Sequence, residues 1–208
     1  MIIGITGNIG SGKSMAAAYL AELGAAVIDA DKVGHDVILP GGSAYPGLVE
    51  AFGEEFLDED GHIIRKKLGA HVFSDASGQR VQLLNRLTHP HIRAEIQRQI
   101  EFFQTRAYSI IVIEAALLLD SPLIELIDKL WLLRCSPELA AARAARRDAC
   151  TEESILQRRK AQRDQDELAC HADLILENDG RPEDLQAQLK NAYQQALEVS
   201  AGRTFDEV

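Results

Sequence analysis

Five short apolar runs punctuate the chain: Ile2–Thr6, Ala25–Ala30, Ser109–Ala115, Lys129–Cys135 and Ala172–Asn178. Each is rich in Ile, Val and Leu with almost no polar alternation, as in IIVIE and LWLL. Strands covered by helices on both faces have this pattern, because neither face meets water. Helical stretches fall between the runs, so the pattern predicts an α/β fold around a five-stranded parallel sheet. The final helix is the plainest. Pro182 suits a first-turn position, and Leu185, Leu189, Tyr193 and Leu197 recur every four residues on one face.

The intervals between runs are uneven. One helix fits between the first and second. Between the second and third lie Asp31 to Tyr108, 78 residues, far more than a single crossover needs. That stretch holds turn-rich GGSAYPG (41–47), DEDG (58–61) and an amphipathic run beginning near His89, and it reads as a mostly helical insertion. The interval from Ser136 to His171 has room for two helices and a loop. Two excursions from one sheet predict an enzyme that closes over its substrates.

Composition narrows the partners. The chain has 208 residues, 46% hydrophobic and 26% charged, which suits one domain with a smaller insert. Lys plus Arg is 22 and Asp plus Glu is 32, a net charge of −10 that repels nucleic acids and anionic membranes. No window is long and apolar enough for a membrane span, and the N-terminus lacks a signal-peptide pattern. Cys135, Cys150 and Cys170 form no CxxC pair, and Cys170-His171 lacks the spacing of a zinc site. A soluble cytoplasmic protein is expected, with neither nucleic acid nor membrane as partner. Any polyanionic ligand must then be met by a local basic cluster. Residues 134–163 supply one, with eight basic residues against four acids. Its place between the fourth and fifth runs reads as a lid.

The chemistry is concentrated in Gly7-Asn8-Ile9-Gly10-Ser11-Gly12-Lys13-Ser14, a full match to G-x-x-x-x-G-K-[ST] between a strand and a helix. Glycines let successive N–H groups point at phosphate oxygens, aided by the positive end of the following helix. Lys13 would bridge β- and γ-phosphates, and the Ser14 hydroxyl would hold Mg2+. No guanine-reading NKxD follows, since Leu176-Glu177-Asn178-Asp179 lacks the Lys. A kinase or nucleotide-dependent transferase remains. Asp29-Ala30-Asp31 closes the second run, at the sheet edge where ligands of open α/β folds bind. A carboxylate there can accept a proton from an attacking hydroxyl or orient magnesium-bound water. Asp31 is read in that role; for Asp29, a turn or cap role is as good.

Beyond the loop, the segments TGNIGSGKS and LGAAVIDADKVGHDVILPGG open a longer likeness. Phe52-Gly53, Asp60-Gly61, Arg65, Leu68, Val72-Phe73, His89-Pro90 and EAALLLD continue it. Arg143, Arg146, Thr151, Arg158, Gln162 and Asn178-Asp179-Gly180 complete it. Together they resemble the dephospho-CoA kinase family. The resemblance implies a P-loop kinase core (1–31, 109–135 and 172–208), a helical CoA-substrate domain (32–108) and a helical lid (136–171). It implies phosphoryl transfer from ATP, with Mg2+, to the ribose 3′-hydroxyl of dephospho-CoA. Asp31 would be the general base, with Lys13 and Arg143 as further catalytic residues. Gly10, Ser11, Gly12, Lys13, Ser14, Met15, Arg143 and Asn178 would bind ATP. Asp31, His35, Arg65, Phe73, His89, Glu114 and Leu117 would bind dephospho-CoA, and Ser14 the metal, with waters.

Three positions depart from the family pattern. His35 stands where Arg is usual, Met15 replaces a common Thr, and the D-x-P-L-L-x-E of the third strand becomes Glu114…Asp120 with the acid lengths exchanged. From the residues alone, Phe52 and Phe73 suit core positions, and His89 suits capping or packing. A nucleoside or nucleoside monophosphate kinase, and a P-loop regulator that hydrolyses ATP slowly, stay open as alternatives. Monomer and small homo-oligomer are equally open. The long insertion with Arg65 and His89 favours a second small substrate.

Overall fold

A computed structural model describes residues 1–203 of the chain. All five apolar runs form strands, most of them trimmed by a residue or two at the ends: β1 (Ile2–Thr6), β2 (Ala26–Asp29), β3 (Ile111–Glu114), β4 (Lys129–Arg134) and β5 (Leu174–Glu177). They pair in the order β2-β3-β1-β4-β5, parallel throughout. The helices are α1 (Lys13–Glu22), α2 (Ala30–Asp36), α3 (Tyr45–Phe52), α4 (Arg65–Phe73), α5 (Gln79–Thr105), α6 (Pro137–Asp148), α7 (Glu152–Lys160), α8 (Gln165–Ala169) and α9 (Pro182–Arg203).

On one face of the sheet, Ala16 and Leu20 of α1 and Leu185, Leu189 and Tyr193 of α9 pack over Ile3, Ile5, Val112, Trp131 and Leu133. The four-residue repeat of the last helix is therefore its buried stripe, and Pro182 is its first residue. The other face approaches the backbone of β1 closely. A Cβ at Gly4 would lie 2.4 Å from Leu118 Cδ2 and 2.7 Å from Ile127 Cδ1, so only glycine lets the 3-10 turns after β3 seat there. Leu132, on β4, is fully buried. Leu132→Ala removes about 3 kcal/mol of stability by leaving a cavity, read as a lowered urea midpoint with unchanged m.

The chain divides into two compact units, Met1–Asp29 with the segment from Ile100 onward, and Ala30–Gln99. The second has its own small core, in which Phe56, Leu68 and Val72 are buried and Phe52, Ile63, Val81 and Leu84 pack on them. Phe52 is thus half-buried core, as its pattern suggests, whereas Phe73 is 74% exposed. Val72 and Phe73 are adjacent on α4, and a 100° step along a helix turns one in and the next out.

Local readings shift in three places. The second strand ends at Asp29, and Asp31 lies in the first turn of α2 rather than on the strand. The amphipathic run near His89 is the middle of α5, which begins ten residues earlier at Gln79 and carries Pro90 inside it. Proline usually ends a helix, but here burial of Ile96 and Ile100 anchors the turns beyond it. Between β4 and β5 three helices stand where two were expected. Asp164 accepts a hydrogen bond from Asp166 N at 2.8 Å, and that cap nucleates the extra helix α8. No helix among the described residues is long and apolar enough to cross a membrane.

Candidate active site

The glycine-rich loop leaves β1 at the carboxyl edge of the sheet and enters α1 at Lys13. Gly10 has φ +79°, and a Cβ there would lie 2.2 Å from the Ala140 carbonyl oxygen of α6. No side chain fits, so the loop backbone presses directly on α6. Lys13 Nζ lies back across the loop, donating to Gly7 O at 2.8 Å and Asn8 O at 3.4 Å. Ser14 Oγ donates to Glu114 Oε1 at 2.7 Å. Glu114 is the last residue of β3 and is 8% exposed, and Asp29 stands in register with it on β2. Hydroxyl and carboxylate together form a hard-oxygen pair of the kind that suits Mg2+.

A cleft of about 300 Å³ opens beside the loop. Gly10, Gly12, Lys13, Ser14 and Met15 line one side, and Arg143 of α6 and Asn178 after β5 line the other. Arg143 donates to Asn178 O at 2.7 Å and Gly180 O at 3.4 Å, so α6 is tied to the turn that opens α9. Asn178 is 2% exposed and its Nδ2 donates to Ser11 O at 2.8 Å. Its Oδ1 and the Ser11 hydroxyl are buried without a hydrogen-bond partner, a costly state for atoms beside an open cleft. Every predicted ATP-side residue thus borders this cleft or bonds to a residue that does. Sequence reasoning missed Ala144, Arg147 and Pro182 in the lining. Arg147 was findable, because it lies one turn after Arg143 and so shares its face of α6.

The exchanged acids of the third strand part company. Glu114 goes to Ser14, whereas Asp120 pairs with Arg163 at 2.7 Å, and Arg163 also meets Glu167. Leu117 lies between them in sequence and is 55% exposed. The basic cluster is likewise divided. Arg134 pairs with Glu177, while Arg147 and Arg158 both pair with Asp148, at 2.7 Å and 3.6 Å. Two arginines, Arg143 and Arg159, bond to backbone carbonyls instead. Burial pushes the Cys135 thiol up to about 11, so it is not a thiolate nucleophile at neutral pH.

In the second unit, Asp31 is exposed in the first turn of α2, with His35 one turn further on. Arg65 opens α4, and its Nη1 lies 3.4 Å from His35 Nδ1. The structure therefore brings two of the predicted substrate residues together. Phe73 ends α4 and His89 sits inside α5. Burial holds the His89 imidazole below its ordinary pKa, which favours its neutral form.

A phosphate loop on the central strand, a carboxylate at the end of the adjacent strand and an arginine from the helix after β4 define a P-loop kinase. A family model described as dephospho-CoA kinase matches residues 1–184. The dephospho-CoA kinase of Shouchella clausii is 36% identical over 192 residues, 92% of this chain and 96% of that relative. That of Symbiobacterium thermophilum is 37% identical over 201 residues, 97% and 83% of the two chains. The crystal structure of TT1252 from Thermus thermophilus superposes with TM-score 0.82 at 30% identity, covering 94% of this chain and 97% of that one. Dephospho-CoA kinase from Campylobacter jejuni gives 0.60 at 26% identity, covering 94% and 96%. The chain belongs to the dephospho-CoA kinase family.

Proposed function

We propose that this chain transfers the γ-phosphoryl group of ATP to the ribose 3′-hydroxyl of dephospho-CoA, giving CoA and ADP. The observation that carries this reading is the Ser14–Glu114 pair beside Lys13 at the carboxyl edge of the sheet, on a chain of this family. Loop N–H groups from Gly10 to Met15 would cradle the phosphates. Lys13 would leave the loop carbonyls for the β- and γ-oxygens, and Arg143 would neutralise charge spreading onto the transferred group. Ser14 and Glu114 are the oxygen donors that would hold Mg2+, whose charge, when bound, offsets that of the β- and γ-phosphates. Asn178, which lines the cleft and whose Oδ1 is buried without a hydrogen-bond partner, would contribute to nucleotide recognition.

Asp31 would take the proton of the 3′-hydroxyl as that oxygen forms a bond to the γ-phosphorus and the bond to the ADP oxygen breaks. The His35–Arg65 pair presents donors suited to the anionic groups of dephospho-CoA. His35 thereby works beside an arginine from another helix at a position where the family usually has its own. Phe73, His89 and Leu117 would complete the acceptor surface. Residues 32–108 would serve as substrate domain and 136–171 as lid, in a cytoplasmic enzyme.

A coupled ADP-release assay tests the reading, with ATP, Mg2+ and either dephospho-CoA, adenosine, AMP, CMP or no acceptor. ADP release that requires dephospho-CoA and yields CoA is expected. Release that follows a nucleoside or nucleotide instead would replace the acceptor. Slow release indifferent to every acceptor would mark a regulator.

A further inference from the structure

Among the described residues one cationic side chain is buried, Arg159, at 9% exposed. It is the penultimate residue of α7, and it faces inward because Ile155, one turn earlier, is fully buried on the same side. Its guanidinium meets no carboxylate within ion-pair distance. Nη1 donates to Ile9 O at 3.3 Å and Nη2 to Cys135 O at 3.1 Å. The Cys135 carbonyl also accepts from Gln165 Nε2 at 2.8 Å. Burial lowers the pKa of this guanidinium, yet an arginine remains charged at any physiological pH. Its direct partners are thus two carbonyl dipoles, while the carboxylates of Glu138 and Asp164 act on it only from beyond ion-pair distance.

The position of the first carbonyl gives that charge a use. Ile9 C=O and Gly10 N–H belong to one peptide unit, and Gly10 lines the nucleotide cleft. A cationic donor on the oxygen side of a peptide polarises it and strengthens the N–H on the other side. The same stretch of chain also holds the preceding peptide. Gln162 Oε1 accepts from Ile9 N at 2.8 Å, and Asn8 Nδ2 donates to Arg163 O at 2.9 Å. The Ile9 side chain packs on Ala141, Ala144, Ala145 and Ile155 between α6 and α7. The crest of the loop is thereby gripped at side chain, N–H and C=O.

We propose that Arg159 is a positioning residue. From behind the phosphate loop it orients and polarises the Ile9–Gly10 peptide toward the nucleotide, and the bound phosphates are the counter-charge of its buried guanidinium. The proposal rests on the ATP-binding reading of this cleft and is independent of which acceptor is phosphorylated. Neutral replacement then has effects of opposite sign on the empty and the loaded protein. Without nucleotide, a flexible apolar side chain of similar length is as stable as the buried charge or more so. With nucleotide, one charge-assisted bond and its field are gone.

Calorimetric titration with ATP and with ADP, which needs no acceptor, and melting curves with and without ATP test this on the full chain. Arg159→Met is expected to bind ATP about tenfold more weakly, since a hydrogen bond to a charged group is worth roughly one such factor. It should melt no lower than wild type when empty and lose most of the ATP-induced rise in melting temperature. Arg159→Lys keeps the charge and should recover affinity to within about threefold. Lys190→Met, which removes an exposed charge on α9 outside the basic cluster, should bind as wild type. In the turnover assay, the KM for ATP should rise while that for dephospho-CoA stays put. A Met variant that binds ATP with wild-type affinity overturns the proposal. So does one that cannot fold or melts well below wild type when empty, because Arg159 would then be only a brace for α7.

Discussion

Lys13→Ala abolishes turnover, with an expected loss of at least about 10³-fold in kcat/KM for ATP. Lys13 Nζ donates to the carbonyls of Gly7 and Asn8, at 2.8 Å and 3.4 Å, which keeps the ammonium at the phosphate loop. Phosphate oxygens carry full charge and outcompete carbonyl dipoles for that ammonium. In the transition state the transferred group spreads negative charge over its oxygens, where a fixed cation in a water-poor cleft acts most strongly. Alanine has high helix propensity, and Lys13 begins α1, so the variant should fold. Its circular dichroism and melting curve check that point, and the ADP-release assay at saturating dephospho-CoA measures the loss. Turnover within tenfold of wild type would remove Lys13 from the phosphate contact.

Asp31→Asn separates chemistry from binding. The amide has the size of the carboxylate and can still accept a hydrogen bond through its oxygen, but it cannot take up the hydroxyl proton. General-base loss costs about 10² to 10⁴ in rate, so kcat should fall by that range. The affinity for ATP should stay within about twofold, since Asp31 lies in α2 of the second unit while the cleft-lining residues all lie in the first. Normal turnover would exclude Asp31 as base. A large loss of ATP affinity would assign it a structural role instead. Asp29 is the natural comparison: it pairs in register with Glu114 on the sheet, so Asp29→Asn should act on the carboxylate proposed to hold Mg2+ and not on proton transfer.

The proposed roles differ in how far they could be seen along the chain. The phosphate loop is eight contiguous residues, with its conformation and chemistry both carried locally. The strands were visible because a strand shielded on both faces needs an unbroken apolar run. The last helix was visible because its buried stripe repeats at the helix period. By contrast, Glu114 and Asp120 are chemically interchangeable in sequence, and their separate fates are set by Ser14 on α1 and Arg163 beyond α7. The extra helix α8 and the passage of α5 through Pro90 were hidden because weak local signals there are overruled by a cap and by buried turns. Phe73 shows the same limit, since one step around α4 decides between core and solvent.

The linear order of residues was enough for the α/β class, the nucleotide loop and the family. These depend on period, composition and short contiguous motifs, which act within a turn or a strand. Packing decided which partner each charge received. Ser14 meets Glu114 across 100 positions, Arg159 meets Ile9 across 150, and Asn178 meets Ser11 across 167. Such contacts exist only once a parallel sheet gathers the carboxyl ends of its strands on one edge. The buried arginine behind the loop is a product of that gathering, because its neighbours along the chain are exposed and the carbonyls it serves belong to other elements.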